Sequence, residues 1–267
     1  MRAVVVLMAV LFLAGAGLVL PSTGADTPHA VTLTILYDNY RHEPGLRADW
    51  GFACLIEGLE QTILFDTGRH AAILSANARH LGVELGSTDV VALSHEHADH
   101  VGGLSAVHSD VSPLPVYVPA GFHVDARGEL DTQEREILIV SDPIAICPGA
   151  HLTGRVGYGI AEQALVLEGA DGLVIITGCA HPGVVRIVET ALEMFPGRGI
   201  DLLMGGFHLL RMDEPSIRST ALCLQELGVR RAAPTHCSGD ATRSIFQRVF
   251  GEGYLELGVG AVVEVPL

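Results

Sequence analysis

The residues with the clearest chemistry in this chain lie in one short segment, residues 94–100, with the sequence SHEHADH. The segment follows an apolar run that predicts a buried strand, and it precedes two glycines that allow a tight turn. Side chains two positions apart on an extended segment point the same way, so His95 and His97 can bind one metal ion. Asp99 and His100 fall on the following turn, where they can face a second ion. We therefore predict a metal centre here, in preference to an exposed polar histidine cluster.

Two later histidines follow predicted strands in the same way. His181 comes after the apolar run 173–176, and His236 comes after residues 232–234. Each could instead be a buried, hydrogen-bonded imidazole, but the first motif favours a ligand role. Nitrogen and oxygen ligands suit zinc, and also iron or manganese, so we predict two divalent ions with zinc as the first choice. The predicted assignment gives His95, His97 and His181 to one ion and Asp99, His100 and His236 to the other.

The histidine segment resembles the signature of the metallo-β-lactamase superfamily, H-x-H-x-D-H after a strand with Gly-Gly-Leu behind it. Residues 62–68, TILFDTG, resemble the superfamily's upstream strand, whose Asp supports the metal ligands; here it is Asp66. Further segments resemble one branch, the proteins similar to dihydropterin-ribofuranosylaminobenzene phosphate synthase. They are DN at 38–39, GFACLIE at 51–57, TGCAHPG at 177–183, GGFHL at 205–209 and PTHC at 234–237. The resemblance covers roughly residues 31–262 and implies an α/β fold, a four-layered αββα sandwich.

The chain departs from this branch near the expected substrate side of the site. Asp49-Trp50-Gly51 stands where relatives tend to carry Glu-His-Gly, and Glu96 and Ala98 stand where they often show Gly and Tyr. The motif therefore predicts the metal ligands and leaves the substrate contacts open.

A third departure concerns the bridge between the two ions. The superfamily usually bridges them with the Asp of a T-G-D strand end, whereas this chain has a thiol at Cys179. Cys179 could ligate or bridge as a thiolate, because a metal lowers its pKa. Alternatively, water or hydroxide bridges and the thiol lies outside the coordination sphere, which is the alternative that we favour. The missing carboxylate leaves the ion pair more positive, so we expect it to hold an anion such as phosphate more tightly.

Two further residues have predicted roles at the site. His208 follows a predicted strand and two glycines that let a substrate approach the backbone closely. We expect it to bind substrate or donate a proton rather than to ligate, the alternative being a packing histidine. Asp99 and His208 are the predicted catalytic residues. Asp66 would orient a ligand histidine from outside the coordination sphere, as metal sites require.

The first residues have the zones of a secretory signal. Arg2 precedes an uncharged run over 3–20, and small residues lead to Ala25. We predict a signal peptide over 1–25, a single domain over 26–267, and export to the periplasm or the medium. The alternative is an uncleaved anchor, since about 18 apolar residues just span a membrane. If the signal is cleaved, we expect no stable membrane association.

The five cysteines are an odd number, so in an oxidising compartment at least one stays unpaired or binds metal. Cys54 and Cys223 lie in a predicted strand and helix, where a free Cys acts as a small hydrophobe. Cys147, in a predicted loop, carries no signal. Cys179 and Cys237 each lie within two residues of a predicted ligand, so they could be thiolates near metal or a disulfide.

The net charge of −15 argues against a nucleic-acid partner, because the phosphate backbone binds basic surfaces. The predicted partner is a small-molecule substrate. Nothing in the sequence indicates an oligomeric state.

The remaining pattern alternates apolar runs with helical periodicity. It predicts two sheets packed face to face with helices outside, and exposed loops over 119–135 and 148–162. Predicted strands cover 31–37, 52–57, 61–66, 89–94, 164–168, 172–177, 200–204 and 231–235, with short elements through 115–118 and 136–147 and a closing hairpin near Gly258. Predicted helices cover 70–82, 183–194, 215–228 and 240–250.

The predicted chemistry is hydrolysis. Two divalent ions lower the pKa of a shared water to about 7 and polarise the attacked carbonyl or phosphoryl oxygen. We therefore expect a dinuclear hydrolase, with a hydroxide nucleophile, of a small phosphate- or ester-bearing substrate. The alternatives are a pterin-linked transferase like the branch enzyme, which export disfavours, and a metal-containing binding protein without turnover. β-Lactam hydrolysis is weaker still, since the bridging-Asp pattern is missing.

Overall fold

The computed structural model describes residues 30–108, 110, 112–123 and 134–267. The predicted signal peptide lies outside the described residues. Among the helices that are described, none is long and apolar enough to cross a membrane.

The described part of the chain forms two β-sheets with α-helices on their outer faces. The strands are β1 (Ala30–Tyr37), β2 (Ala53–Glu57), β3 (Ile63–Phe65), β4 (Val90–Ala92), β5 (Leu114–Pro119), β6 (Arg135–Val140), β7 (Ile144–Cys147), β8 (Ala150–Leu152), β9 (Leu165–Gly169), β10 (Gly172–Thr177), β11 (Ile200–Gly206), β12 (Val229–Thr235) and β13 (Val262–Pro266). The α-helices are α1 (Ala71–Leu81), α2 (Ala98–Val101), α3 (Val184–Met194), α4 (Glu214–Glu226) and α5 (Asp240–Phe250).

The first sheet has the strand order β13-β1-β2-β3-β4-β5-β6, and the second has the order β12-β11-β10-β9-β8-β7. Each sheet is antiparallel at one side and parallel at the other. The pairs β3-β4, β4-β5 and β5-β6 are parallel in the first sheet, and β10-β11 and β11-β12 are parallel in the second. The parallel strands β4, β10 and β11 are buried along their whole length, which explains their nearly continuous apolar sequences.

The main core lies between the two sheets. Ile35 and Phe52 from the first sheet's side share one fully buried cluster with Ile176 and Met204 from the second. A second cluster joins α3, α4 and α5 to the outer face of the second sheet, and a third joins α1 to the first sheet. The helices thus cover both outer faces, which confirms the predicted αββα sandwich.

Helix α3 shows why these segments form helices on the outside. Its buried residues recur at a spacing of three and four, which places them in one stripe along the helix. The stripe consists of Val184, Ile187, Val188 and Ala191. Its other face carries polar residues toward solvent, so the sequence pattern fixes which side contacts the sheet.

Two predictions about loops were wrong. Residues 148–162 are not one exposed loop, because they include β8, which pairs with both β7 and β9 and so completes the second sheet. Residues 119–135 are not uniformly exposed, since Phe122 is buried in the third cluster; residues 124–133 lie outside the described part. A three-residue strand is too short to give a periodic signal.

The predicted closing hairpin near Gly258 was also wrong. Strand β13 pairs antiparallel with β1, at the other end of the chain, and extends the first sheet. A hairpin prediction assumes a local partner, whereas here the partner lies more than two hundred residues away.

The strands bring the site together. In the first sheet Phe65 of β3 is in register with Ala92 of β4. In the second, Thr177 of β10 is in register with Gly205, and Gly206 of β11 with Thr235 of β12. The carboxyl ends of these parallel strands therefore lie at common edges, and every predicted ligand follows one of them.

Candidate metal centre

The structure brings together the three histidines that we assigned to the first ion. The Nε2 atom of His95 lies 3.1 Å from the Nδ1 atom of His97. The ring of His181 lies 4.7 Å from that of His95 and 4.8 Å from that of His97, centre to centre. The donor atoms of His95, His181 and Cys179 all lie within 4.8 Å of one another, a spacing at which they could hold one ion.

The three residues assigned to the second ion also meet. Nε2 of His100 lies 3.2 Å from Nε2 of His236, and an Asp99 carboxylate oxygen lies 3.6 Å and 3.4 Å from these two nitrogens. Together with Cys179, their donor atoms lie within 4.8 Å of one another. The rings of His95 and His100 are 4.1 Å apart, so the two groups of donors adjoin.

The hydrogen bonds around His100 and His236 direct their Nε2 atoms toward each other, as a shared metal ion would need. Nδ1 of His100 donates to the Asp66 carboxylate at 2.6 Å. Nδ1 of His236 donates to Oδ1 of Asn39 at 2.9 Å, and the Gly51 N–H donates to the same oxygen. Both Nε2 atoms therefore present lone pairs. Two lone pairs 3.2 Å apart repel, so a proton or a metal ion between them would stabilise this arrangement.

The first group of histidines is oriented in the same way. The Ser94 hydroxyl donates to Asp66, which leaves its oxygen to accept from Nδ1 of His95 at 2.8 Å. Nδ1 of His181 lies 2.8 Å from the Glu162 carboxylate and donates to it. In both histidines the Nε2 lone pair is thus free for a metal. Polar partners of this kind on the far side of ligand histidines fix the tautomer and raise ligand basicity.

Asp66 occupies the supporting position that its motif implied. It is fully buried at a left-handed φ of 58°, and it accepts bonds from the Ser94 backbone and side chain and from His100. Burial raises the pKa of Asp66, while the bonds from Ser94 lower it. One carboxylate thus contacts His100 directly and is linked to His95 through the Ser94 hydroxyl.

Two supporting residues were missed by the sequence reasoning. Asn39 had been noted only as part of a family segment, and Glu162 had been placed in a loop. Glu162 is fully buried between β8 and β9, and it contacts His181 after β10. Burial raises the pKa of Glu162, but the hydrogen bond with His181 and the charge of His95 lower it to about 2. A lone Glu ahead of a strand gives no sequence signal for such a role.

Cys179 lies at the junction of the two groups. Its Sγ atom is 3.3 Å from Nε2 of His100 and 3.3 Å from Nε2 of His236. Burial raises the pKa of its thiol, whereas a bound cation would lower it. We had favoured a position outside the coordination sphere; these distances support the alternative, in which the thiolate ligates or bridges.

Cys237 and His208 lie beside Cys179. The donor atoms of the three residues are within 4.8 Å of one another, and the Cys237 thiol donates to the Cys179 carbonyl at 3.5 Å. All five cysteines fall in the described residues and are free, so the Cys179–Cys237 disulfide that we had considered is not formed. A Cβ atom at Gly206 would lie 2.8 Å from the Cys237 sulfur, which explains the glycine there.

His208 is exposed, and its ring lies 4.4 Å from that of His181. The hydrogen bond with Cys237 raises the pKa of His208, which favours the protonated ring. An exposed imidazole next to the candidate metal ligands can contact a bound substrate.

Burial lowers the pKa of His95 and brings that of His100 to about 3, so both are neutral ligands at pH 7. Burial raises the pKa of Asp99, but the hydrogen bond with His236 and the charge of His100 outweigh it, and the net shift is downward. Neutral imidazoles and an ionised carboxylate are the forms that a divalent metal binds.

Two side chains border the centre. Trp50, the single tryptophan of the chain, is 41% exposed, and its ring lies edge-on to His236 at 5.2 Å. Glu96 accepts the backbone N–H of His123 at 2.7 Å and so holds the loop after β5 against the histidine segment. These are the positions at which the chain departs from its branch.

The fold and this centre agree with the comparisons to known proteins. Residues 51–203, more than half of the chain, match the family model of the metallo-beta-lactamase superfamily. The chain belongs to this superfamily.

The chain is 27% identical to the 7,8-dihydropterin-6-methyl-4-(beta-D-ribofuranosyl)-aminobenzene-5'-phosphate synthase of Methanocaldococcus jannaschii, over 80% of this chain and 89% of that protein. It is also 27% identical to the uncharacterized protein MJ0448 of the same organism, over 78% of this chain and 90% of that protein. Among solved structures, it is similar to Tm1679, described as a metal-dependent hydrolase of the beta-lactamase superfamily. That likeness has a TM-score of 0.75 and 27% identity, and it covers 89% of this chain and 100% of that one. The predicted branch is thereby confirmed as a resemblance over most of the chain.

Proposed function

We propose that this chain is a dinuclear metal-dependent hydrolase of a small phosphate- or ester-bearing substrate. The observation that carries the proposal is the pair of adjoining donor groups, joined at Cys179, in which the Nε2 atoms of His100 and His236 face each other at 3.2 Å. When bound, two divalent ions supply a nucleophile at neutral pH and polarise the attacked oxygen. The similarity to Tm1679 supports the same reaction class.

The chain's own residues would perform three tasks in this reaction. Asp66, Asn39 and Glu162 hold the ligand histidines in one tautomer, so that their lone pairs face the ions. His208, exposed and with a raised pKa, donates a proton to the leaving group. Trp50 contacts the substrate at the mouth of the site, beside His236.

The charge of the donor groups supports an anionic substrate. Asp99 is the one carboxylate among the donor groups found in the described residues, because Cys179 stands where the superfamily usually has a bridging Asp. Two divalent ions with so few anionic ligands keep a net positive charge. A phosphate group neutralises that charge, and the curated relative is itself named for a phosphate-bearing product.

A synthase-like transfer is the second candidate, and the 27% identity over 80% of this chain to the archaeal synthase favours it. The same donor groups would serve either reaction. A transferase needs a second substrate to accept the transferred group, whereas a hydrolase needs only water.

The test is a substrate screen on the full chain loaded with zinc or manganese. Chromogenic phosphodiester, lactone and β-lactam reporters separate the hydrolase classes, and the chelated protein is the blank. H97A removes a proposed ligand, and H42A changes an exposed histidine away from the centre. We expect phosphodiester turnover by wild type and H42A and none by H97A. Two bound metals without turnover of any reporter would overturn the hydrolase, and turnover that appears only with a pterin-type co-substrate would favour the synthase.

A further inference from the structure

The hydrogen bonds around Glu162 indicate a role for this residue that no sequence motif predicts. One carboxylate oxygen accepts the backbone N–H groups of Cys179, at 2.9 Å, and Ala180. The other accepts the backbone N–H of His181 and its ring Nδ1–H, both at 2.8 Å. Four donors, three of them consecutive backbone amides, thus converge on one fully buried side chain.

These contacts require an ionised carboxylate. Every neighbour donates, so a protonated acid would direct its own O–H against a donor. An ionised group with no exposed surface is costly unless its partners compensate for lost hydration. The negative charge of Glu162 is therefore stabilised by segment 179–181, and it stabilises the conformation of that segment in return.

That segment carries two of the candidate ligands. Cys179 and His181 flank Ala180, whose φ of 62° is left-handed and unfavourable for a residue with a Cβ atom. The hydrogen bonds from the three backbone N–H groups to Glu162 hold the backbone in this conformation. The hydrogen bond from Nδ1 of His181 orients the ring of that residue. A single side chain thus places a sulfur and a nitrogen donor of the centre.

We propose that Glu162 is a positioning residue that holds His181 and Cys179 in ligating positions. It also supplies, from outside the coordination sphere, negative charge that a bridging Asp at position 179 would otherwise supply. The inference rests on the proposed metal centre but not on hydrolysis. It predicts that the charge of Glu162 contributes most to the affinity of the ion held by His95, His97 and His181, because Glu162 contacts both the backbone and the ring of His181.

Strands β8 and β9 of the second sheet contain a Glu–His pair that can serve as a control. Glu168 contacts Nε2 of His151 at the same distance, 2.8 Å, but both side chains are partly exposed, and neither belongs to the groups of donor atoms. The substitution Glu→Gln can therefore be made at two Glu–His pairs of equal length, only one of which faces the centre.

The experiment compares wild type, E162Q and E168Q by zinc titration against a chromogenic chelator, with elemental analysis of the bound ions. We expect about 10- to 100-fold weaker binding of one of two ions in E162Q, the usual effect of losing such a partner, and no change in E168Q. Nitrogen NMR of the histidine rings should also show His181 losing its single tautomer in E162Q. E162Q with wild-type affinity for both ions and an unchanged His181 tautomer would overturn the proposal.

If E162Q does not fold, the comparison moves to A180G and E162Q/A180G. Glycine adopts the left-handed conformation without strain, so it restores the turn and leaves the charge missing. Equal zinc affinities in these two variants would overturn the proposal. A wild-type chain that binds no metal would instead overturn the proposed function, so the two failures are distinct.

Discussion

His100 and His236 face each other through their Nε2 atoms at 3.2 Å, although 136 residues separate them along the chain. Each ring is held from behind, by Asp66 and by Asn39. This opposed pair connects the metal chemistry of the site to its acid–base behaviour, because a proton and a metal ion compete for the same gap.

Zinc affinity should therefore fall as the pH falls. Burial lowers the pKa of His236, but the hydrogen bond that its ring donates to Asp99 and the nearby negative charges outweigh this, and its pKa is raised. Below that pKa a proton occupies the gap, so binding zinc must release it. Calorimetry in buffers of different ionisation enthalpy should show proton release on zinc binding, and H236Q should show less. The measurements are made at about physiological ionic strength, which screens charges at a distance. A zinc affinity that does not change between pH 8 and pH 6 would contradict the competition between proton and zinc.

Removing His97 should remove one ion. Nδ1 of His97 lies 3.1 Å from Nε2 of His95, beside the group formed by His95, His181 and Cys179, whereas Asp99, His100 and His236 belong to another group. We expect H97A to bind one zinc where wild type binds two, and to lose hydrolytic turnover. Elemental analysis of both proteins checks this. Two ions retained in H97A would show that the ligand assignment is wrong.

Replacing Cys179 with Asp should preserve or raise metal occupancy. The sulfur belongs to both groups of donor atoms, so a carboxylate there can reach both ions, as the resemblance to the superfamily implies for its bridging Asp. Metal content of C179D, with C223S as the control at a cysteine in α4, measures the effect. Loss of metal in C179D would instead show that the thiolate is an essential ligand. In the cobalt-substituted wild type, a thiolate-to-metal charge-transfer band should be present and should vanish in C179D.

Trp50 should report on the second ion position. Its ring lies 5.2 Å from that of His236, and the chain has no other tryptophan, so all tryptophan emission arises beside that ligand. We expect cobalt, which quenches by energy transfer, to reduce the emission in wild type and H97A. H236A should respond far less. Equal quenching in H236A and wild type would place the ion elsewhere.

Metal removal should lower stability. An ion that binds only the folded chain stabilises it by about 2.7 kcal/mol when present at 100 times its dissociation constant. We therefore expect chelation to lower the Tm of wild type and to have a smaller effect on H97A. Calorimetric scans with and without chelator measure both shifts. An unchanged Tm in chelated wild type would show that no ion was bound.

The sequence predicted the parts of this site that are local. Residues 94–100 place ligands through strand and turn periodicity alone, and His181 and His236 follow strands whose apolar runs are easy to read. The elements α3 and β10 also formed within a residue of their predicted bounds. Local patterns suffice wherever one segment both forms the element and carries the ligand.

The supporting residues could not be predicted in this way. Asn39 contacts His236 from 197 residues away. Glu162 lies just before β9 and contacts His181, which lies just after the paired strand β10. Neither spacing identifies the partner in the sequence, because the contacts form only once the strands have paired and the sheets have packed. The same reason explains the missed pairing of β13 with β1.

The donors come from the edges of both sheets, and this has a mechanical consequence. An ion held between His100 and His236 would close a loop of more than a hundred residues, as a disulfide does, and would fasten one sheet to the other. Separating the sheets then requires breaking coordination bonds first. The rate at which zinc leaves the folded chain would therefore set the rate at which the sandwich opens, and the centre would govern the lifetime of the fold as well as its chemistry.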